Sequence, residues 1–138
     1  MKSLIALCAL VLATSASAAD PKTRLLDFSQ QALIGHEAAT ALMAEQIPAK
    51  VWKLYPASKW AFVSQVEGGL TAAGICAVTA RVMLLPLTPT LKVVTLRPAK
   101  TATAFDAQPG ATMEACKALA RDKLKEATGA VVSALVKV

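Results

Sequence analysis

Residues 75 to 87 read ICAVTARVMLLPL. In an extended chain successive side chains point to opposite faces. Cys76, Val78, Ala80, Val82 and Leu84 then share one face, and Ala77, Thr79, Arg81, Met83 and Leu85 share the other. The first set is uniformly apolar, which predicts a central strand with its core face there. Arg81, in the middle of the second set, argues against a membrane span. Pro86 and Pro89 end the strand in a turn with Thr88.

Two further extended stretches flank it. Trp60–Glu67, WAFVSQVE, predicts a first strand, broken by Gly68-Gly69. Leu91–Asp106 is rich in Val and Thr, and the short turn before it predicts antiparallel pairing with Ile75–Leu85. Pro98 has no N–H to give to a ladder, so this strand is an edge or is bulged around Arg97–Ala99.

Helical spacing dominates both ends of the chain beyond residue 20. Asp20-Pro21 is a helix start signal. From Lys22 to Ile47 there is no proline, and Leu25, Leu26, Leu33, Leu42, Met43 and Ile47 recur at helical spacing. This predicts a helix of about seven turns stopped by Pro48. Gly35 inside it costs about 1 kcal/mol relative to Ala. Gln108-Pro109-Gly110 is a turn, and Thr112 is a candidate N-cap for a helix over Met113–Val136. Its apolar stripe is Cys116, Ala120, Leu124, Ala127, Val131 and Leu135.

The N-terminal twenty residues follow another pattern. Met1-Lys2 is a short basic start, and Leu4–Ala13 is an apolar run too short to cross a bilayer. Ala16-Ser17-Ala18 matches a leader-peptidase site, giving a mature chain from Ala19; the next frame, Ser17-Ala18-Ala19, gives Asp20. The expectation is a secretory leader over residues 1–18 (or 1–19) and one small domain over 19–138. Such a chain is destined for the periplasm, or for the extracellular space, with no membrane span after cleavage.

Composition then excludes rather than assigns. The chain has 138 residues, enough for one domain. Hydrophobic residues make up 55 % and charged residues 17 %, which rules out a disordered chain. Net charge is +6, and Lys2 is the one charge in the leader, so +5 remains after cleavage. Lysines and arginines form no block, so no nucleic-acid partner is expected; the spread charge suits an anionic envelope component or simple solubility.

Cysteines supply the firmest chemistry. Cys76 lies on the core face of the predicted strand and Cys116 on that of the last helix. In an exported chain they are expected to form a disulfide. C-x-x-C is absent, and no Cys/His cluster completes a metal site.

Other candidates are weaker. Thr79, Arg81, Thr95, Arg97, Thr101 and Thr103 would share a hydroxyl-rich, cationic sheet face if register holds; the competing reading is a solvated face of good strand formers. Lys50, Trp52, Lys53, Tyr55, Lys59 and Trp60 interleave aromatic and basic residues, as at a membrane interface or a stacking surface. In the competing reading the aromatics plug the gap between helix and sheet while the lysines stay wet.

No catalytic constellation emerges. His36 is the single histidine, with no partner at metal or triad spacing. Only a cleft bringing it to a carboxylate would revive an enzyme. A Glu67–Asp106 carboxylate pair at strand ends has no spacing to support it. The Gly-Gly pair lacks phosphate-loop spacing. No cofactor or metal is implied.

The sequence therefore predicts an α+β fold. It has a long N-terminal helix, an antiparallel sheet of about three strands, a long C-terminal helix packed on that sheet, and one disulfide. The expected function is that of a non-enzymatic accessory protein of a bacterial envelope, binding a protein partner. The alternative is a module for a small apolar ligand or lipid, with a cavity between sheet and helices lined by Leu33, Met43, Val82 and Leu84.

Overall fold

A computed structural model describes residues 21–136; the expected leader lies outside the described residues. The fold is α+β. In chain order the elements are β1 (Leu25–Asp27), α1 (His36–Gln46), α2 (Ala49–Leu54), β2 (Trp60–Leu70), β3 (Cys76–Pro86), β4 (Lys100–Gln108) and α3 (Met113–Leu135). The four strands make one sheet in the order β1-β2-β3-β4.

β3 is an inner strand, as the alternation predicts. Cys76, Val78, Ala80, Val82 and Leu84 are all fully buried on one face. Phe62 and Val66 of β2 and Ala104 of β4 flank them in register. α3 lies across this face and contributes Cys116, Leu119, Ala120, Leu124, Ala127 and Val131; Leu42 and Met43 of α1 and Val51 of α2 complete the core. Each fully buried Leu, Val or Phe side chain contributes about 1.5–3 kcal/mol relative to exposure. Thr112 caps α3, its hydroxyl accepting from Ala115 N at 3.1 Å.

The disulfide forms. Cys76 and Cys116, 40 residues apart, are bonded with their Cα atoms 5.5 Å from one another. It ties the first residue of β3 to the first turn of α3. Among the described residues no helix is long and apolar enough to cross a membrane.

The N-terminal segment corrects the expectation of one long helix. Leu25–Asp27 is instead a strand, paired parallel with β2 at Leu25↔Phe62, Leu26↔Val63 and Asp27↔Ser64. The sheet is therefore mixed and four-stranded, not antiparallel and three-stranded. Parallel neighbours need a crossover connection, and α1 with α2 supplies it over the core face. Gly35 is no mid-helix weakness: it is the N-cap of α1, with φ −71° and ψ 150°. Pro48 does stop α1, and at once becomes the N-cap of α2.

Two strand boundaries are also corrected. β2 runs through Gly68-Gly69 to Leu70 rather than breaking there. A Cβ on Gly68 would sit 2.0 Å from the carbonyl oxygen of Ala77, and φ is +126°. Only glycine lets the two backbones approach this closely. β4 begins at Lys100, not near Leu91. Residues 87–99 turn back on themselves at Thr88–Lys92, through an isolated Leu87–Val93 bridge and a bond from Val94 N to Pro86 O at 2.9 Å. Ladder bonding resumes when Ala99 N donates to Leu84 O at 2.8 Å.

Candidate functional site

The helices cover one face of the sheet, and the other face holds the sequence-predicted threonines. Register aligns three rows across it. Glu67, Thr79 and Phe105 form one row, Gln65, Arg81 and Thr103 the next, and Val63, Met83 and Thr101 the third. Towards the Trp60 end this face is apolar and closed, with Ala61, Val63 and Leu85 buried. Towards the β4 side it is open: Arg81, Thr101, Thr103 and Phe105 are exposed.

The predicted binding face is thus split. Thr79, Arg81, Thr101 and Thr103 come together. Thr95 and Arg97 do not join them, because both lie in the 87–99 connection, outside the sheet. Losing Arg97 removes half of the expected positive charge. Glu67 sits on the same face, bonded by Gln65 Nε2 at 2.5 Å, so the face is close to neutral. Arg81 forms no ion pair among the described residues.

Phe105, which is not among the predicted face residues, joins them. It is 64 % exposed, beside Thr79 and one strand from Glu67. The signal was available, since Phe105 shares parity with Thr101 and Thr103 on β4. Phe105 adds an exposed aromatic ring to the threonines on the open face.

The interleaved aromatic and basic segment sorts by atom type. Trp52 meets Phe62 edge to face with ring centroids 5.3 Å apart, and Tyr55 meets Trp60 at 5.5 Å. All three predicted aromatics are partly buried against the core, closing the gap between α2 and β2. Lys50, Lys53 and Lys59 are exposed. The rings and the ammonium groups therefore do not form one stacking surface.

His36 does meet a carboxylate. Its Nδ1 lies 2.6 Å from Asp27 Oδ2, while Asp27 Oδ1 accepts from Ser64 Oγ at 2.6 Å and from Ser29 Oγ at 2.5 Å. Ser29 Oγ in turn accepts from Val66 N at 2.9 Å. Both serine hydroxyls spend their protons on Asp27, so neither is presented to the imidazole as a nucleophile. The arrangement anchors the start of α1 to β1 and β2. Nine positions separate Asp27 from His36, a spacing that carries no recognisable motif; the pairing exists only because Leu25–Asp27 is a strand.

Glu67 and Asp106 cannot act as a pair. Glu67 opposes Thr79, whereas Asp106 opposes Val78. Adjacent residues of a strand face opposite ways, so the two carboxylates lie on opposite sides of the sheet. Among the described residues no group of three or more His, Cys, Asp or Glu is placed to hold a metal ion. Leu33, Met43, Val82 and Leu84, the expected lining of a cavity, are packed into the core.

No family model matches the sequence, and no curated protein matches it. Among solved structures the chain is similar to a PelC dodecamer from Paraburkholderia phytofirmans, at 10 % identity and a TM-score of 0.42, covering 80 % of this chain and 92 % of that one. It is likewise similar to a point variant of that PelC dodecamer, at 8 % identity and a TM-score of 0.44, covering 80 % and 91 %. At these values the likeness assigns neither a family nor a function to this chain.

Proposed function

We propose that the protein is an exported, non-enzymatic accessory protein of a bacterial envelope, periplasmic after leader removal, that binds a protein partner through the open face of its sheet. The observation that carries this reading is Phe105, an exposed aromatic on the uncovered face, with Arg81, which forms no ion pair among the described residues, in the neighbouring row. Aromatic and arginine side chains dominate the energetics of protein interfaces. The partner surface would offer an apolar recess for Phe105 and a carboxylate for Arg81. The disulfide agrees with an oxidising compartment. The near-neutral charge of the face favours a protein over an anionic polymer.

The test is affinity capture from the envelope fraction, run in parallel with the wild-type protein and with the Arg81→Glu and Phe105→Ser variants. One stoichiometric partner, held by the wild type and lost by both variants, is the expected result. A partner retained equally by the variants would place the contact elsewhere. Recovery of lipid or sugar with no protein would overturn the reading.

A further inference from the structure

We propose a second site, independent of the open sheet face: a pocket on the helical side that takes a single-chain amphiphile with an anionic head. The pocket lies between the segment leading into β1 and the connection from α2 to β2, and has a volume of ≈ 560 Å³. Small-molecule sites typically occupy about 300–1,000 Å³. Ile47, Trp52, Pro56 and Ala57 supply an apolar lining, and Lys22 and Lys53 stand among them.

The walls are held in place by the fold. Arg24 Nε donates to Ala57 O at 2.9 Å, joining the two sides of the pocket across 33 residues of sequence. Phe62 N donates to Arg24 O at 3.0 Å, fastening the same segment to β2. Lys59 N and Trp60 N both donate to Pro56 O, which fixes the turn. Trp52 is steadied by its edge-to-face contact with Phe62. A pocket walled this way exists before a ligand arrives, so little ordering cost opposes binding.

Charge selects the ligand. Lys22 and Lys53 are exposed, and neither forms an ion pair among the described residues. Among the described residues no acidic side chain lines the pocket. An apolar lining beside two uncompensated ammonium groups matches a hydrocarbon chain ending in a carboxylate or phosphate. A hydrocarbon chain, unlike a sugar, asks for no hydrogen-bond partners along Ile47, Pro56 and Ala57.

Calorimetric titration tests this with the protein expressed from its full-length sequence, purified with Cys76–Cys116 oxidised, and delipidated. The probes are laurate, the uncharged decyl maltoside and inorganic phosphate. Laurate is expected to bind saturably, more tightly than decyl maltoside, with no binding of phosphate alone. The double variant Lys22→Gln/Lys53→Gln should lose about tenfold in laurate affinity and leave decyl maltoside unchanged. Ala49 and Ser58 are exposed lining residues, so Ala49→Trp or Ser58→Trp fills the space without disturbing the core and should abolish laurate binding. The proposal is overturned by an absence of saturable laurate binding, by binding that survives both filling variants, or by phosphate binding without a chain. Equal affinity for laurate in the double lysine variant overturns the anionic head. Arg81 and Phe105 lie outside the pocket, so their variants should bind laurate normally whatever becomes of the protein partner.

Discussion

Asp27 and His36 form an ion-pair geometry of 2.6 Å in which the carboxylate is 1 % exposed and the imidazole 50 % exposed. The two ends of the contact therefore have unequal stakes. Removing the carboxylate strands the Ser64 hydroxyl and the Nδ1 of His36, and takes one partner from Ser29. Removing the imidazole leaves Asp27 with both serine donors.

Asp27→Ala is expected to lower stability by about 3 kcal/mol, and His36→Ala by about 1 kcal/mol. Urea unfolding of the two single variants measures both. A His36→Ala loss equal to or greater than that of Asp27→Ala would mean that the serines do not hold the carboxylate as the distances indicate.

Opening the disulfide should cost about 4 kcal/mol, the chain-entropy value for a 40-residue separation. The Cys76→Ser/Cys116→Ser protein is expected to unfold at lower urea than the oxidised wild type. The purified wild type should weigh two hydrogens less than its reduced form. Two titratable thiols in freshly purified native protein would refute the bond.

Glycine variants separate close approach from conformational freedom. Gly68→Ala meets the Ala77 carbonyl oxygen at 2.0 Å, whereas at Gly69 no atom lies within 4 Å of the added Cβ. Gly68→Ala should therefore destabilise by at least about 3 kcal/mol, and Gly69→Ala by less, through its φ of +150° alone. Gly129 is the opposite case. It lies within α3, and its added Cβ would come no nearer than 3.9 Å to Gln46 Oε1. Gly129→Ala is expected to stabilise by about 0.5–1 kcal/mol. Thermal melts of the three variants give the ranking.

The open-face variants should leave the fold alone. Among the described residues Arg81 has no ion pair, and Phe105 is largely exposed, so Arg81→Glu and Phe105→Ser are expected to shift stability by no more than about 0.5 kcal/mol. Larger losses in denaturant would show that these side chains brace the sheet, and would remove the basis for reading them as contact residues.

β3 and α3 were legible because each buries one face against the other, and one-sided burial writes its period into the sequence. Cys76 and Cys116 fall on those two faces, so their pairing followed. β1 was not legible. Three residues are too few to express a period, and Leu25, Leu26 and Phe28 fit a helix equally well when no partner strand is in view. The parallel pairing that decides between them is made with β2, more than thirty residues away. In the sequence Gly35 reads as a cost inside a helix and Gly68 as the break of a strand. One begins a helix, and the other lets a strand continue past a close backbone. Pro98 predicts an edge strand or a bulge around Arg97–Ala99; β4 is an edge strand, but it starts only at Lys100, and the connection over residues 87–99, with its isolated Leu87–Val93 bridge, carries Thr95 and Arg97 away from the candidate face.

The staple between β3 and α3 also governs how the protein can be oxidised. Cys76 and Cys116 are the two cysteines of the described residues, so their oxidation within one chain has a single product. The expected leader carries the third thiol, Cys8. While it is attached, two incorrect bonds compete with the correct one, and resolving them requires thiol–disulfide exchange. Once it is gone, an oxidant alone suffices. If the expected leader is removed, the order of its removal and of bond formation therefore decides whether maturation depends on an isomerase.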